Sequence, residues 1–317
     1  MPARKHHYVP QWYIRKWGDE KGQVAFSRNG TIFSPTNPAN ILAKRDFYAA
    51  PTLTVEDIAS LSLFVATKSS PAVRPVAEAL LQEALLHSTM KTVLLQSPDL
   101  ANEDKAEIAS FLKEAEERRF AVFESRAKRV VDRLLETGVD ILEDPESAAQ
   151  LLEFVTGMYF RTLRAREVGR QLRPSTDEGI AVLTRLLAAM MAHSLFFDRL
   201  AMPTTLLTND TGRRFITSDN PAVNILRPDE DRVPTDDEWA VYMPLSPRHA
   251  LIIPPLDHAF TLEASTEELV AALNASLASF ARETLVASSK CDLIDALGGP
   301  PRDLASMRRW FKPGASQ

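Results

Sequence analysis

The middle of the chain repeats apolar residues at intervals of three and four, which is the spacing of an amphipathic helix. This pattern covers positions 103–138, and Gly138 is suited to end the helix. An Asp-Pro pair predicts a second helix from about 145 to 171, and a Ser-x-x-Glu capping box predicts a third from 175 to about 199. The stretch from about 54 to 200 is therefore predicted to be helical.

Strand signals lie on both sides of this helical stretch. Before it, two short β-prone runs at 24–26 and 31–33 flank Asn29-Gly30, and this pair between such runs is the strongest local signal for a hairpin. After it come three more β-prone segments bounded by Pro, Asp and Ser, at 214–217, 240–243 and 250–253.

These signals together predict an α+β fold. We expect a small, mainly antiparallel sheet formed by the N-terminal hairpin and the later strands, with a large central helical insertion. The expected parts are an N-terminal motif and hairpin at 1–53, a helical region at 54–202, and a C-terminal part at 203–317 that completes the sheet. A capping box at Ser265 predicts a helix within the C-terminal part that extends to about 283.

Composition excludes several classes of function. The 317 residues carry a net charge of -5 and a pI near 5.8, which argues against a protein that coats nucleic acid by charge alone. The single cysteine, Cys291, cannot form an intrachain disulfide and suits a cytoplasmic location. We expect no membrane span and no secretory signal. The glycine motifs of dinucleotide-binding, P-loop and α/β-hydrolase proteins are absent from the sequence.

Two of the six histidines, His6 and His7, are adjacent and come just before a predicted helix that starts at Pro10. Neighbouring side chains on an extended strand point to opposite sides, so one imidazole can face a pocket while the other orients it. The pair can equally be structural, with Tyr8 and Trp12 packed around it.

A second unusual segment, 215–221, is a β-prone run that ends in a Ser-Asp-Asn-Pro turn. Most turns of this composition only end a strand. The functional hypothesis is that the strand directs Asp219, together with Ser218 or Asn220, into a binding site. There the carboxylate would hold a divalent cation or orient a histidine.

Arg161 and Arg164 lie three residues apart on the predicted 145–171 helix. At this spacing the two guanidinium groups share a helix face and could bind a phosphate. A solvated basic face is the simpler alternative.

The sequence resembles the bacterial domain of unknown function 4238 family. Three elements carry the resemblance: residues 5–17, which correspond to the family's K-x-H-H-Y-V-P-Q-x-Y-L-R-x-F start, F-I-T-S-D-N-P at 215–221, and P-L-S-P at 244–247. An R-T-P-x-R-like element corresponds to 161–164, where Leu163 replaces the expected proline. The family implies no established reaction. A weaker resemblance links the His-His-Tyr-Val-Pro start to HNH-type nucleases, in which one residue of the pair binds a metal and the other is a general base.

The first functional hypothesis is a metal-assisted hydrolase acting on a phosphoester, as a nuclease or a nucleotide-cleaving enzyme. In this hypothesis His7 is the general base, and His6 and Asp219 hold a divalent metal such as Mg²⁺ or Mn²⁺. Arg161 and Arg164 would contact the phosphate. The expected partner is a small phosphate-containing ligand or a nucleic acid, with no membrane; whether there is a protein partner is left open.

Two alternatives remain open. In the first, the protein is a non-catalytic module that binds a small polar ligand or nucleotide through the motif residues, which are His6, Gln11, Tyr13, Asp219 and Asn220. In the second, the N-terminal motif is structural and ties the first helix to the late strands.

Overall fold

The fold is known from a computed structural model, which describes residues 5–45, 47, 50–172, 176–228, 235–256, 258–261, 265–299 and 301–313. The N-terminal part contains strands β1 to β4 and one helix: β1 (Lys5–His7), α1 (Gln11–Ile14), β2 (Ala25–Arg28), β3 (Thr31–Ile32) and β4 (Ala43–Arg45). Asn29 and Gly30 both have positive φ angles, of 49° and 78°, as a two-residue hairpin turn requires. The predicted hairpin is confirmed.

Six α-helices follow in the described ranges: α2 (Val55–Lys68), α3 (Arg74–Gln96), α4 (Asn102–Thr137), α5 (Pro145–Phe160), α6 (Leu163–Leu172) and α7 (Asp177–Asp198). The 36-residue α4 ends at Gly138, whose φ is 76°, as its apolar pattern predicted. The single helix predicted over 145–171 is wrong, because the structure divides it into α5 and α6.

The C-terminal part contains the remaining strands and three helices: β5 (Thr205–Thr208), β6 (Thr217–Ser218), β7 (Val223–Asn224), β8 (Val241–Ser246), β9 (His249–Ile253), β10 (His258–Phe260), α8 (Glu267–Phe280), β11 (Thr284–Ala287), α9 (Lys290–Gly298), α10 (Leu304–Arg308) and β12 (Phe311–Pro313). Helix α8 ends three residues before the predicted end at 283.

All strand pairs of the described residues are antiparallel. The hairpin joins two late strands in a sheet of order β3-β2-β11-β6, and a second sheet has the order β5-β9-β8-β7. Two-stranded ribbons are formed by β1 with β4 and by β10 with β12. The α+β class is confirmed, although the later strands are shared among several small sheets.

One hydrophobic core connects all three parts of the chain. Tyr13 and Trp17 from the N-terminal motif, Leu151 and Phe154 from α5, and Met243 from β8 belong to the same buried cluster. The domain boundaries at 53 and 202 stay a prediction.

Helix α7 has an 18-residue window apolar enough for a membrane span, and 44% of that window is buried. It is the single helix of this kind in the described ranges. The observation is weak support for a membrane location, because the core helix of a soluble protein has the same properties. Here α7 contacts α3, α5 and α6.

Candidate functional site

The two adjacent histidines lie on β1, and both are half-buried. β1 pairs with β4, so that His6 lies opposite Lys44 and His7 lies opposite Ala43. The strand ends where the backbone N–H of Tyr8 donates to the carbonyl oxygen of Leu42 at 3.1 Å. The following turn and Pro10 begin α1, where Gln11 is half-buried.

Tyr13 connects the three sequence motifs. Its side chain has no exposed surface, and its hydroxyl donates to the carbonyl oxygen of Pro244 at 2.5 Å and lies 2.9 Å from the hydroxyl of Thr217. One turn later, the indole N–H of Trp17 donates to the carbonyl oxygen of Phe215 at 2.8 Å. These contacts give Tyr13 a structural role, and its predicted contact with substrate stays a prediction.

Asp219 holds the loop that joins α8 to β11. One carboxylate oxygen accepts the backbone N–H of Arg282 at 2.8 Å, and the other accepts those of Glu283 at 2.8 Å and Thr284 at 3.0 Å. Burial raises the pKa of Asp219, against the lowering effect of the three N–H donors. The carboxylate thus fixes the direction in which the side chains of Arg282 and Glu283 leave the loop.

The neighbours of Asp219 complete the turn. The hydroxyl of Ser218 accepts the backbone N–H of Asn220 at 3.0 Å and donates to its carbonyl oxygen at 2.9 Å. The amide nitrogen of Asn220 donates to the carbonyl oxygen of Phe280 at 3.2 Å. Both residues are buried. Their contacts stabilise the same loop, and their predicted role in substrate binding stays untested.

Arg161 and Arg164 do not lie on one helix, so the prediction that they share a helix face is wrong. The chain turns at 161–162, and the hydroxyl of Thr162 accepts the backbone N–H of Ala165 at 3.1 Å, which caps the start of α6. Arg161 therefore lies over the ring of Phe123, whereas Arg164 is directed toward Phe280.

A cavity of about 400 Å³, which we call the polar cavity, lies beside the N-terminal motif. That motif contributes Tyr8, the loop held by Asp219 contributes Arg282 and Glu283, and α6 contributes Leu163, Arg166, Glu167 and Arg170. The cavity is lined by Tyr8, Arg28, Leu42, Ala43, Lys44, Leu163, Arg166, Glu167, Arg170, Asp177, Arg282 and Glu283.

The polar cavity has an excess of positive charge. Its described lining contains five cationic side chains and three carboxylates. Arg282 pairs with Glu167 at 2.5 Å, and Arg170 pairs with Asp177 at 2.7 Å. The two remaining cations on the strands, Arg28 on β2 and Lys44 on β4, have no carboxylate partner within the described part of the chain.

Tyr8 supplies a hydrogen-bond donor at this cavity. Burial raises its pKa well above the ordinary value for tyrosine, and the charges of Asp219 and Glu283 raise it further. Arg28 and Arg282 act in the opposite direction with a smaller effect. The phenol is therefore protonated at neutral pH. Its hydroxyl forms no hydrogen bond with any residue that the structure describes. Its ring packs against that of Phe47, with the two ring centres 5.5 Å apart.

A larger space, which we call the central cavity, adjoins the polar cavity. It measures about 760 Å³ and lies between α3, α4, α5 and α7. Arg161, predicted as a substrate contact, lines this space, whereas Arg164 lines neither cavity. His6, His7, Gln11, Tyr13, Ser218, Asp219 and Asn220 are also absent from the described linings.

No group of three or more His, Cys, Asp or Glu side chains is arranged to hold a metal ion among the described residues. The predicted Mg²⁺ or Mn²⁺ site at His6 and Asp219 therefore stays a prediction. Sequence reasoning missed Arg28, Lys44, Arg282 and the position of Tyr8 in the wall of the polar cavity. The position of Tyr8 inside the first motif was the one available signal, since the other residues are brought together only by the fold.

The comparisons with known proteins agree with the family resemblance found in the sequence. The chain has no significant match among curated proteins or among solved structures. A family model described as "Protein of unknown function (DUF4238)" matches residues 5–291, a range that includes every residue of the polar cavity. The chain therefore belongs to the DUF4238 family.

Proposed function

We propose that this protein binds a phosphate-bearing small molecule in the polar cavity. The observation that carries the proposal is the combination of two strand cations, Arg28 and Lys44, with a protonated Tyr8 hydroxyl, none of which has a side-chain partner among the residues that the structure describes. Guanidinium, ammonium and phenol groups are all donors to phosphate oxygens. The excess of two positive charges matches a phosphate dianion.

The surrounding ion pairs favour a fixed site over a flexible basic surface. Arg282 is held by Glu167 on α6 and by the loop anchored at Asp219. Arg166 donates to the carbonyl oxygen of Phe47 at 3.2 Å, and its guanidinium lies 3.8 Å from the centre of that ring. Groups that are already oriented lose less conformational entropy when a ligand binds. A concave site of this volume also suits a small ligand better than a duplex.

Binding of inorganic phosphate, measured by isothermal titration calorimetry, tests this proposal. We expect Arg28→Ala and Lys44→Ala each to weaken the affinity about tenfold or more, because each removes a charged hydrogen bond worth about 1.5–3 kcal/mol. Rising salt concentration should weaken binding to the wild type. Lys21→Ala is the matched control, since Lys21 is an exposed cation outside the cavity. Equal affinities in all four proteins would refute the proposal.

Hydrolysis of the bound phosphoester is a second candidate function, and one observation favours it. The His-His strand is hydrogen-bonded to β4, whose Ala43 and Lys44 line the polar cavity. As a neutral imidazole, His7 would take a proton from a water whose oxygen forms a bond to phosphorus. The ester P–O bond would break, and the leaving oxygen would take a proton from solvent, to which the His7 imidazolium would return its own.

We expect His7→Ala to lower any phosphoesterase activity at least about 100-fold, in line with the loss of a general base. The assay compares the wild type, His7→Ala and His258→Ala on nucleotides and on single- and double-stranded nucleic acids, with Mg²⁺ or Mn²⁺ present. His258 lies on the β10–β12 ribbon and lines neither cavity. Retained phosphate binding would show that His7→Ala is folded. If the wild type cleaves none of these substrates but binds phosphate, hydrolysis is rejected and binding stands.

A further inference from the structure

The central cavity differs from the polar cavity in the chemistry of its walls. Apolar side chains from three helices contribute much of its surface, among them Val76, Leu80, Val122, Val182 and Ala188. Its volume of about 760 Å³ falls within the range of cavities that hold whole small molecules. The cavity could therefore take an organic group of considerable size.

The two cavities share part of their walls. Lys44, Arg166 and Asp177 line both of them. Asp177 is held by its ion pair with Arg170, and Arg166 is held against the ring and carbonyl of Phe47. A molecule with its phosphate between Arg28 and Lys44 could therefore extend past this shared wall into the central cavity.

The central cavity also offers flat surfaces. Arg161 lies 4.5 Å from the centre of the Phe123 ring, and Arg166 lies 3.8 Å from that of Phe47; all four residues line the cavity. Guanidinium planes and aromatic rings both stack on planar groups, including nucleobases. An alkyl chain on such surfaces would gain only the free energy of burying apolar area, without a stacking contribution.

We infer that the ligand is a phosphate ester whose organic part carries an aromatic ring system, as that of a nucleoside phosphate does, with its phosphate in the polar cavity and its ring system in the central cavity. This inference rests on the proposed function, because the polar cavity must hold the phosphate. It adds the identity of the organic part and assigns the central cavity to it.

A series of phosphate compounds tests the inference by calorimetry: inorganic phosphate, butyl phosphate, phenyl phosphate and 1-naphthyl phosphate. In the wild type we expect 1-naphthyl phosphate to bind at least about tenfold more tightly than inorganic phosphate, since it adds stacking to the phosphate contacts. Phenyl phosphate should lie between them. Butyl phosphate should bind more weakly than phenyl phosphate.

Two substitutions that reduce the volume of the central cavity test whether the ring system binds there. The first is Ala181→Leu; Ala181 lies on α7, is half-buried and lines the cavity. The second is Val122→Phe; Val122 lies on α4 and also lines the cavity, and because its side chain is 43% exposed the larger ring carries little risk to folding. We expect Ala181→Leu and Val122→Phe to remove most of the naphthyl advantage and to leave the affinity for inorganic phosphate unchanged. Ala59→Leu, at an exposed position on α2, should retain the advantage.

The outcomes separate this inference from the proposed function. If inorganic phosphate and 1-naphthyl phosphate bind the wild type equally, or if both cavity variants keep the naphthyl advantage, the inference is overturned while phosphate binding stands. A butyl phosphate affinity equal to that of 1-naphthyl phosphate overturns the aromatic assignment. If no compound responds to Lys44→Ala, the proposed function fails first, and the inference fails with it.

Discussion

Replacing Asp219 with Ala is expected to lower the free energy of unfolding by about 3–5 kcal/mol. The substitution removes the acceptor of three backbone N–H groups, from Arg282, Glu283 and Thr284, and each buried donor left without a partner costs about 1–3 kcal/mol. Urea denaturation followed by circular dichroism measures the effect. The same variant should weaken phosphate binding, since the loop no longer holds Arg282 at the polar cavity.

Asp295→Ala is the matched control, because Asp295 is an exposed carboxylate on α9. Its substitution should change stability by no more than about 0.5 kcal/mol. Asp219→Asn should fall between the control and Asp219→Ala, since the amide keeps one acceptor oxygen. A loss below about 1 kcal/mol in Asp219→Ala would show that the loop is held by other contacts.

The pH dependence of stability gives a second readout of the same carboxylate. Burial raises the folded-state pKa of Asp219 above its ordinary value of 3.8. In the interval between the two values the folded state binds more protons than the unfolded state, so stability falls as the pH rises through it. The contribution of Asp219 is therefore greatest below its unfolded pKa and declines as the pH passes the folded pKa. We expect the stability difference between the wild type and Asp219→Asn to decrease over this interval, and an increase would contradict the raised pKa.

Local signals were sufficient for the elements whose geometry is fixed by adjacent residues. The Asn29-Gly30 turn predicted the hairpin because few other residues adopt two successive positive φ angles. The apolar spacing before Gly138 predicted α4 because both the buried face and the terminating glycine lie in one segment. Neither prediction needed information from distant residues.

Helix boundaries depended on contacts that the sequence does not display. The third helix, predicted from a capping box at Ser175, has Thr176 as its N-cap; the Thr176 hydroxyl accepts from Gly179 and donates to Asp57 on α2. Ser175 itself lies outside the described residues. The helix predicted from a capping box at Ser265 likewise has Thr266 as its N-cap, and the backbone N–H of Ser265 donates to the carbonyl oxygen of Thr208.

The candidate site likewise combines residues that the local sequence identifies with residues that only the fold brings together. The motif singled out Asp219, but its three N–H partners lie 63 to 65 residues further along the chain. The sequence did not show that the predicted 145–171 helix divides at Thr162. A threonine hydroxyl can cap the start of a new helix, as it does here, but threonine also occurs inside continuous helices. The proline that the family resemblance implies at position 163 would occupy the first position of α6, where proline is favoured.

Replacing Trp17 with Ala is expected to lower the free energy of unfolding by about 4 kcal/mol or more, within the range for truncating a buried aromatic residue. The side chain is completely buried, contacts Tyr13 with ring centres 5.1 Å apart, and donates its indole N–H to Phe215. Its loss would leave a large cavity between the N-terminal motif and the 215–221 motif, and the carbonyl oxygen of Phe215 would lose this donor. Urea denaturation at neutral pH measures this loss.

Trp17→Phe separates packing from hydrogen bonding, because it keeps an aromatic ring but loses the N–H donor, and we expect a loss of about 1–3 kcal/mol. Leu200→Ala, at a position 71% exposed, is the control and should have almost no effect. Combining Trp17→Phe with Tyr13→Phe should give a non-additive loss, since the two rings are in contact and both side chains form hydrogen bonds with the 215–217 segment. Strictly additive losses would mean that Tyr13 and Trp17 stabilise the N-terminal motif independently, and the motif would then not act as one structural unit.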